Sequence, residues 1–337
     1  LIHHRKTPRK DQVIENMLPK VYIDGHVGTT GLRIRDWMAN RTDVELVTLQ
    51  DDLRKDADAR RSTILESDIA VLCLPDDAAR EVASWTEDSN TRLIDASTAH
   101  RIADDWVYGL PELHSGQRES IIQAKNVSNP GCYPSAFVLL TRPLIDAGLV
   151  SEDAPFSIHA LSGYSGGGRS MIENWESPDI GLESLPHEAP YSLDKIHKHI
   201  PEMVKYASLT AEPQFVPAVG PFRCGMRVEV PIHASLLSQR ADGAKVWETF
   251  HKLYENETFV KVAPMGELGA IDEWSFDPQS CNDTNLIELH VVPHPSGHLL
   301  LVALLDNLGK GASGAAIQNL NLMLGISENT GLPEASD

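Results

Sequence analysis

The feature that most limits how this sequence can fold is the alternation of strand and helix patterns between residues 20 and 95. Short apolar strand patterns cover residues 21–23, 44–49, 69–74 and 93–95, and helical patterns cover 32–40 and 77–85. The 69–74 run is apolar almost throughout, as expected of a parallel strand that is covered on both faces. This alternation predicts an α/β fold with a doubly wound parallel sheet.

The second half of the chain has a different pattern. Strand patterns at 156–161, 225–233, 286–293 and 299–305 surround a helical pattern at 241–255, and the last two strands should pair antiparallel. A chain of 337 residues exceeds the usual size of one core, so two domains are expected. Residues 311–324 read as an amphipathic helix that packs back on the first domain. We therefore predict one domain from 17–131 and 306–337, and an α+β domain from 132–305.

Composition and charge exclude several classes of function. The net charge of −19 argues against nucleic acid or an anionic membrane as partner, so an anionic small-molecule substrate would need a local basic pocket. No apolar run is long enough to cross a bilayer. The four cysteines lack CxxC spacing, which favours a reducing compartment and a cytoplasmic location. Residues 1–16 are basic without the apolar core of a signal peptide, and we predict a disordered tail or upstream extension.

One cysteine stands where a turn should lead into an apolar helix. The segment Asn129-Pro130-Gly131-Cys132-Tyr133-Pro134 precedes an apolar run that ends near Gly148, and Pro134 suits a first helical position. Unpaired backbone N–H groups and the helix dipole at such a position favour thiolate over thiol. The sequence therefore predicts Cys132 to be a nucleophile with a depressed pKa, against the alternative of a buried structural cysteine.

A glycine loop follows the first strand pattern and opens the first helix. Gly25, Gly28 and Gly31 have the spacing G-x-x-G-x-x-G, which differs from the dinucleotide fingerprint G-x-G-x-x-G but has the same strand-to-helix context. The end of the second strand is ambiguous. Asp51 and Asp52 suit a ribose 2′-hydroxyl, whereas Arg54 and Lys55 suit a 2′-phosphate.

A histidine cluster, His197-Lys198-His199 followed by Glu202, allows two interpretations. It could hold a metal ion, although Pro201 interrupts a regular helix and makes the ligand spacing weak. Alternatively, one imidazole acts as base for the Cys132 thiol and is held by a neighbouring carboxylate. We predict no metal, and a base function for this cluster.

The glycine-rich segment 162–169 contains the G-x-S-x-G pattern of a serine hydrolase elbow around Ser165. Asp194 and His199 would complete such a site, but this interpretation leaves Cys132 and the first glycine loop unexplained. Arg101 follows a strand at the predicted ligand-binding edge of the sheet and could hold a phosphate or carboxylate. A third interpretation is a nucleotide-binding protein without catalytic activity.

Together these segments resemble the N-acetyl-γ-glutamyl-phosphate reductase family, in its short form. The resemblance runs from residue 17 to about 325 and rests on the 23–31 loop, on 73–77, 95–101 and 108–113, on the Cys132 segment, on His199-Ile200-Pro201-Glu202 and on 306–312. It implies a Rossmann-like cofactor domain and a catalytic, dimerising α+β domain of the glyceraldehyde-3-phosphate dehydrogenase-like type. Aspartate-semialdehyde dehydrogenase shares this chemistry and is the nearest alternative.

The resemblance also implies the reaction and the residues that carry it. The Cys132 thiolate attacks an acyl phosphate, His199 transfers protons, and Glu202 orients His199. The resemblance also implies that NADP(H) supplies the hydride, which favours Arg54 and Lys55 over the two aspartates as the residues that contact the cofactor. The chain is expected to be a homodimer or homotetramer. The expected cofactor residues are Gly25, Gly28, Thr29, Thr30, Gly31, Arg54, Lys55, Pro75, Ser97, Gly166 and Asn307. The expected substrate residues are Arg101, Asn129 and Arg169.

Overall fold

A computed structural model describes residues 18–266 and 268–333, so the predicted tail at 1–16 lies outside the described residues. The strands are β1 Lys20–Asp24, β2 Glu45–Val47, β3 Ile69–Leu72, β4 Arg92–Asp95, β5 Val107–Tyr108, β6 Asn126–Ser128, β7 Ser157–Gly163, β8 Ala189–Pro190, β9 Gln214–Gly220, β10 Met226–Ile232, β11 Val260–Val262, β12 Ile287–Pro293 and β13 Leu299–Leu305. The α-helices are α1 Thr29–Met38, α2 Ala57–Leu65, α3 Asp76–Trp85, α4 Gln117–Gln123, α5 Cys132–Asp146, α6 Gly168–Trp175, α7 Ile200–Tyr206, α8 Gly243–Tyr254 and α9 Gly314–Leu324.

The first sheet contains six parallel strands in the order β2-β1-β3-β4-β6-β5, which confirms the predicted doubly wound sheet. Side chains alternate between its two faces, as the pleat requires. One face packs with residues of α1 and α9, and the other face packs with residues of α2 and α3. Strands buried on both faces explain the continuous apolar pattern of 69–74.

The second sheet is mixed and has seven strands in the order β11-β12-β13-β10-β7-β9-β8. The predicted late antiparallel pair is present as β12 and β13, with Ile287 opposite Leu305. The main core of this half packs α5, α7 and α8 against one face of the sheet. The two architectures together confirm the predicted combination of a Rossmann-like sheet with an α+β unit. None of the helices in the described ranges combines the length and apolar character needed to span a bilayer.

Two predictions about helices were wrong in detail. Helix α5 starts at Cys132, so Pro134 is its third residue rather than its first, although its missing N–H still falls in the turn where such groups lack helical partners. Helix α9 is not amphipathic, because every residue from Gly314 to Met323 is buried. Its polar members have internal partners, such as the Asn319 side chain that donates to the Gly109 carbonyl at 2.8 Å. The end of α5 is as predicted, with Gly148 at φ +64° after the last turn.

The topology brings the chemistry-bearing segments to one edge. The loops that follow β1, β3, β4 and β6 all leave the first sheet at its carboxyl edge, where open α/β sheets bind ligands. These loops carry the glycine loop, the 73–75 segment, Ala96–Arg101 and the segment before Cys132. Segment 197–202 arrives at the same edge from the second half of the chain.

Candidate active site

Cys132 is the first residue of α5, and Gly131 before it is the N-cap residue. A Cβ atom on Gly131 would lie 2.6 Å from Arg101 Nη1 and 2.8 Å from His199 Nε2. Glycine is therefore required here, because any side chain would displace the guanidinium and the imidazole. Through Gly131 the sequence brings a cation and an imidazole next to the residue that carries the sulfur.

A cavity of about 280 Å³ opens beside the sulfur, and we call it the thiol cavity. Cys132, His199, Arg101 and Lys198 contribute to its wall, as does Gly311 from the segment before α9. Gly311 lies against the cysteine so closely that a Cβ atom on it would be 2.7 Å from Cys132 Cβ. The structure thus brings the two main predicted catalytic side chains to one cavity, from opposite halves of the chain.

Glu202 does not hold His199 as expected. Its Oε1 accepts hydrogen bonds from the Tyr108 hydroxyl and from the Gly131 backbone N–H, both at 2.7 Å. Its Oε2 accepts from Arg101 Nη1 at 3.1 Å. The expectation that Glu202 orients His199 is therefore wrong. The carboxylate is the group that fixes the turn before Cys132 and the arginine beside it, and only tertiary contacts reveal that pairing.

Arg101 is buried and held at three points, by Glu202 and by the backbone carbonyls of Asn129 and Ala96. A guanidinium has five N–H donors, so two remain for a ligand. Arg101 lines the thiol cavity, which places these donors on its wall. The predicted substrate-binding function of Arg101 is compatible with this geometry.

Two residues predicted to bind ligands are instead occupied by the protein. The Asn129 side chain donates to the Ala312 carbonyl at 2.9 Å and accepts from Asn319, so it ties the cysteine turn to α9. The Asn307 amide accepts from Gly225 N–H and donates to the Ser165 hydroxyl. In this structure the Asn129 side chain therefore ties the cysteine turn to α9, its contact with substrate stays a prediction, and Asn307 positions the wall of the thiol cavity.

Burial overrides the predicted ionisation of the sulfur. Burial raises the pKa of Cys132 to about 11, although the charges of Arg101 and Lys198 and the Tyr133 N–H lower it. The prediction of a depressed pKa was wrong because desolvation of the thiolate exceeds these stabilising contributions. In this structure the free protein therefore holds the proton on sulfur at neutral pH.

His199 is neutral for the same reason. Burial, helped by the positive charge of Arg101, holds the pKa of His199 well below its usual range. Its Nδ1 is buried without a hydrogen-bond partner in the described part of the chain. A neutral imidazole can accept a proton, so His199 can act as the base, but proton transfer from Cys132 to His199 is uphill until a ligand changes the site.

These two shifts predict the pH dependence of alkylation. With a pKa of about 11, only about one Cys132 in ten thousand is thiolate at pH 7, and the fraction rises tenfold per pH unit up to about pH 11. The rate of Cys132 modification by iodoacetamide should rise in parallel between pH 7 and 10, as followed by mass spectrometry of its peptide. A rate that levels off below pH 8 would contradict the buried neutral thiol.

The cofactor side of the site is built on the first glycine loop. A Cβ on Gly25, whose φ is +86°, would lie 2.2 Å from the Cys73 carbonyl oxygen, and one on Gly31 would lie 2.5 Å from the Gly25 oxygen. Both positions therefore need glycine. Gly28 precedes the first residue of α1, Thr29. The loop thereby leaves the N–H groups at the start of α1 free for a phosphate.

A second cavity, of about 520 Å³, lies over this loop, and we call it the glycine-loop cavity. Its wall includes five of the predicted cofactor residues in addition to Gly28 and Gly31, namely Thr29, Thr30, Pro75, Ser97 and Gly166. Thr29, Thr30, Gly166 and Arg101 also line the thiol cavity, so the two cavities adjoin. Residues that can hold a dinucleotide are thus next to the sulfur.

Three basic residues that were predicted to bind cofactor or substrate do not line the thiol cavity. Arg54 and Lys55 are in the turn after β2 and line neither the thiol cavity nor the glycine-loop cavity. Arg169 has a side chain that is 74% exposed and pairs with Glu173 at 3.2 Å. It lines the glycine-loop cavity and not the thiol cavity, and its contact with a substrate carboxylate stays a prediction. Lys198, to which the sequence analysis assigned no function, lines both cavities. Its position between His197 and His199 in the sequence could have indicated that it lies at the site.

The serine hydrolase alternative does not fit the geometry. Ser165 lies in a short 3₁₀ turn and is buried, and its hydroxyl accepts from Asn307 and lies 3.4 Å from Cys224 Sγ. Asp194 is exposed. A nucleophile elbow needs an exposed hydroxyl bonded to a base, and Ser165 has neither. For the metal alternative, the residues at 18–266 and 268–333 contain no group of three or more His, Cys, Asp or Glu placed to hold an ion.

Comparison with known proteins agrees with this geometry. Residues 132–307 match the family described as semialdehyde dehydrogenase, dimerisation domain, and residues 47–123 match the semialdehyde dehydrogenase NAD binding domain. Among solved structures, aspartate semialdehyde dehydrogenase II from Vibrio cholerae matches with TM-score 0.69 at 16% identity, over 91% of this chain and 99% of that one. The enzyme from Candida albicans, solved with NADP, matches with TM-score 0.62 at 13% identity, over 93% and 99%. The family models therefore place the chain among the semialdehyde dehydrogenases, and the solved structures show that it shares their fold.

Curated relatives narrow the class. N-acetyl-gamma-glutamyl-phosphate reductase 2 from Nostoc sp. is 45% identical over 93% of this chain and 99% of its own length. N-acetyl-gamma-glutamyl-phosphate reductase from Burkholderia cenocepacia is 47% identical over 92% and 98%. The chain belongs to the N-acetyl-gamma-glutamyl-phosphate reductase family, as the resemblance in the sequence indicated.

Proposed function

We propose that this chain reduces N-acetyl-L-glutamyl 5-phosphate to N-acetyl-L-glutamate 5-semialdehyde with NADPH, releasing phosphate, as a step of arginine biosynthesis. The observation that carries the proposal is the position of Cys132, which starts α5 and opens into a cavity that His199 shares and that adjoins a dinucleotide-type glycine loop. The names of the relatives supply the substrate.

The cofactor would lie over the glycine-loop cavity. When bound, NADPH supplies the hydride that reduces the acyl group. The N–H groups at the start of α1 would hold its phosphates, and Pro75, Ser97 and Gly166 would line its path to the sulfur. The preference for NADPH over NADH rests on the resemblance, and Arg54 and Lys55 remain its proposed determinants although neither borders the cavity.

Cys132 would carry the covalent chemistry. As His199 accepts the thiol proton, the sulfur attacks the acyl carbon, the S–C bond forms, and the bond from carbon to the phosphate oxygen breaks with phosphate leaving. After hydride addition the C–S bond breaks, the aldehyde leaves and the sulfur is regenerated. His199 would pass the thiol proton to the departing phosphate, and one proton from solvent would restore the thiol, so one proton is consumed per turnover. His199, being neutral at rest, would act first as base and then as acid.

The start of α5 would also stabilise the charge that develops on the substrate. Backbone N–H groups beside Cys132 have no helical partners, so they can donate to the tetrahedral oxyanion. A single donor of this kind contributes about 3 to 4 kcal/mol where it has been removed from another enzyme. Glu202 would be a positioning residue for this arrangement, because its carboxylate fixes Gly131 and Arg101.

We further propose that residues 17–131 with 306–337 bind the cofactor and that 132–305 carry the catalysis and the contacts between subunits. The partition of strands between two sheets supports this division, and so does the packing of α9 on the first sheet. The match to a dimerisation domain supports an oligomer, for which we propose a homodimer or homotetramer in the cytoplasm.

The test is phosphate-dependent reduction of NADP⁺ by N-acetylglutamate semialdehyde, measured at 340 nm with the purified chain. Aspartate semialdehyde serves as the competing substrate, and NAD⁺ as the competing cofactor. We expect turnover that requires phosphate and favours the N-acetylated substrate by at least about 100-fold. A preference for aspartate semialdehyde would indicate an aspartate-semialdehyde dehydrogenase instead. Ester hydrolysis without any response to cofactor would indicate a serine hydrolase that uses Ser165.

A further inference from the structure

Lys198 stands between the half-buried His197 and the buried His199 at the junction of the two cavities. The rings of His197 and His199 are 4.8 Å apart and both lie against Tyr133, at 6.0 and 5.8 Å. Lys198 itself is exposed and lines both the thiol cavity and the glycine-loop cavity. An ammonium group on a flexible stem is thus present where the two cavities meet.

Lys198 forms no direct ion pair in the described part of the chain. Two cations, Arg101 and Lys198, line the thiol cavity, and Glu202 neutralises Arg101 at 3.1 Å. Among residues 18–266 and 268–333, no carboxylate lies within 4 Å of the Lys198 amine. The carboxylate of Asp76 lines the glycine-loop cavity, accepts hydrogen bonds from Thr98, and has a pKa that the charge of Lys198 helps to lower, so it offsets part of that charge from a distance. In a chain of net charge −19, a cation at a cavity wall without a direct ion-pair partner attracts an anion.

The two histidines add no charge of their own. Burial lowers the pKa of His197 to about 4, and the pKa of His199 is also held well below its usual range, so both are neutral at pH 7. Lys198 therefore supplies the free positive charge of this part of the wall, and Arg101 adds directed N–H donors.

The chemistry of the substrate decides which anionic group belongs here. In an acyl phosphate, one bridging oxygen separates the carbon that Cys132 attacks from the phosphorus. The phosphoryl group must then lie inside the thiol cavity beside the sulfur. The carboxylate of an N-acetylglutamyl group is separated from that carbon by three further carbons. Cations on the wall nearest the sulfur therefore match the phosphoryl group.

We propose that Lys198 binds the phosphoryl group of the acyl-phosphate substrate, together with Arg101, and holds inorganic phosphate as it leaves. This inference rests on the proposed function for the identity of the substrate. As the carbon–oxygen bond breaks, the bonding electron pair and the added charge pass to the phosphate. Lys198 stabilises that charge electrostatically without transferring a proton.

The kinetic test uses Lys198→Met with Lys195→Met as matched control, because Lys195 is an exposed lysine of the same segment that lines neither cavity. In the phosphate-dependent direction, K198M should raise KM for phosphate at least about tenfold. KM for the semialdehyde and Kd for NADP⁺ should change less than twofold. Lys198→Arg, which keeps the charge, should recover most of the phosphate affinity, and K195M should behave as the unchanged chain.

A second measurement does not depend on turnover. Inorganic phosphate in the thiol cavity should slow the alkylation of Cys132 by iodoacetamide at pH 9. Protection by phosphate, with chloride at equal ionic strength as the reference, is expected for the unchanged chain and K195M and should be lost in K198M. If protection appears in a chain that does not oxidise the semialdehyde, the phosphate site stands and the proposed function fails.

Other outcomes overturn the inference. An increase confined to KM for the semialdehyde would assign Lys198 to the substrate carboxylate. An increase confined to Kd for NADP⁺ would assign it to the cofactor phosphates. Equal phosphate protection in K198M and in the unchanged chain would remove Lys198 from anion binding altogether.

Discussion

Replacing Cys132 with serine is expected to lower turnover by at least about 10⁴-fold, since loss of the nucleophile costs about 10⁶-fold in kcat in a well-studied protease. The serine hydroxyl is far harder to ionise than a thiol, and the same burial that raises the pKa of Cys132 would oppose its ionisation further. The measurement is phosphate-dependent reduction of NADP⁺ by N-acetylglutamate semialdehyde. Binding of NADPH, followed by fluorescence, should change less than twofold.

The matched control is Cys224→Ser. Cys224 is partly buried and lies beside Ser165, outside the thiol cavity, so serine should replace it with little effect on rate. Substantial turnover in the Cys132→Ser chain would exclude a covalent intermediate at this residue. Equal losses in both variants would indicate general damage to the fold.

Replacing Glu202 with alanine is expected to lower the free energy of unfolding by about 3 to 5 kcal/mol, because it leaves the buried guanidinium of Arg101 without its counter-charge. It also removes the acceptor for the Tyr108 hydroxyl and for the Gly131 N–H. With the turn before Cys132 no longer fixed, kcat should fall at least about 100-fold, since a displacement of about 1 Å at a reacting group has effects of this size. Urea unfolding and the semialdehyde assay measure the two effects.

Glu202→Gln separates position from charge. Its amide oxygen can still accept from Tyr108 and Gly131, so the loss of stability should be smaller than in the alanine variant. Exposed Glu212 provides the control, and Glu212→Ala should stay within about 0.5 kcal/mol of the unchanged chain. A stability of Glu202→Ala within 1 kcal/mol of the unchanged chain would show that this carboxylate does not anchor the site.

The sequence predicted the sheets well because strand and helix periodicity is local. The parallel strands β1, β3 and β4 and the antiparallel pair β12–β13 were both predicted from apolar runs bounded by turn residues. The convergence of Cys132 and His199 on one cavity agrees with the prediction that a thiol at a helix start is paired with an imidazole. That prediction depended on the residues around Cys132 and His199 and not on either residue alone.

What the sequence could not supply is the environment of each charge. The helix start at Cys132 predicts a lowered pKa, but the extent of burial, which raises it, depends on residues as distant as Gly311. Glu202 was assigned to the wrong partner because proximity along the chain to His199 says nothing about Tyr108, 94 positions away. Polar residues of α9 were read as solvent-facing for the same reason.

The burial of α9 has a consequence for biosynthesis. Apolar residues of β1, β3 and β4, all made within the first hundred positions, pack against Ile317, Leu320 and Met323. A ribosome therefore releases the strands of the first sheet about two hundred residues before the helix that covers one of their faces. Until then α1 covers only part of that face, and the apolar surface left open is of the kind that makes incompletely folded chains prone to aggregation.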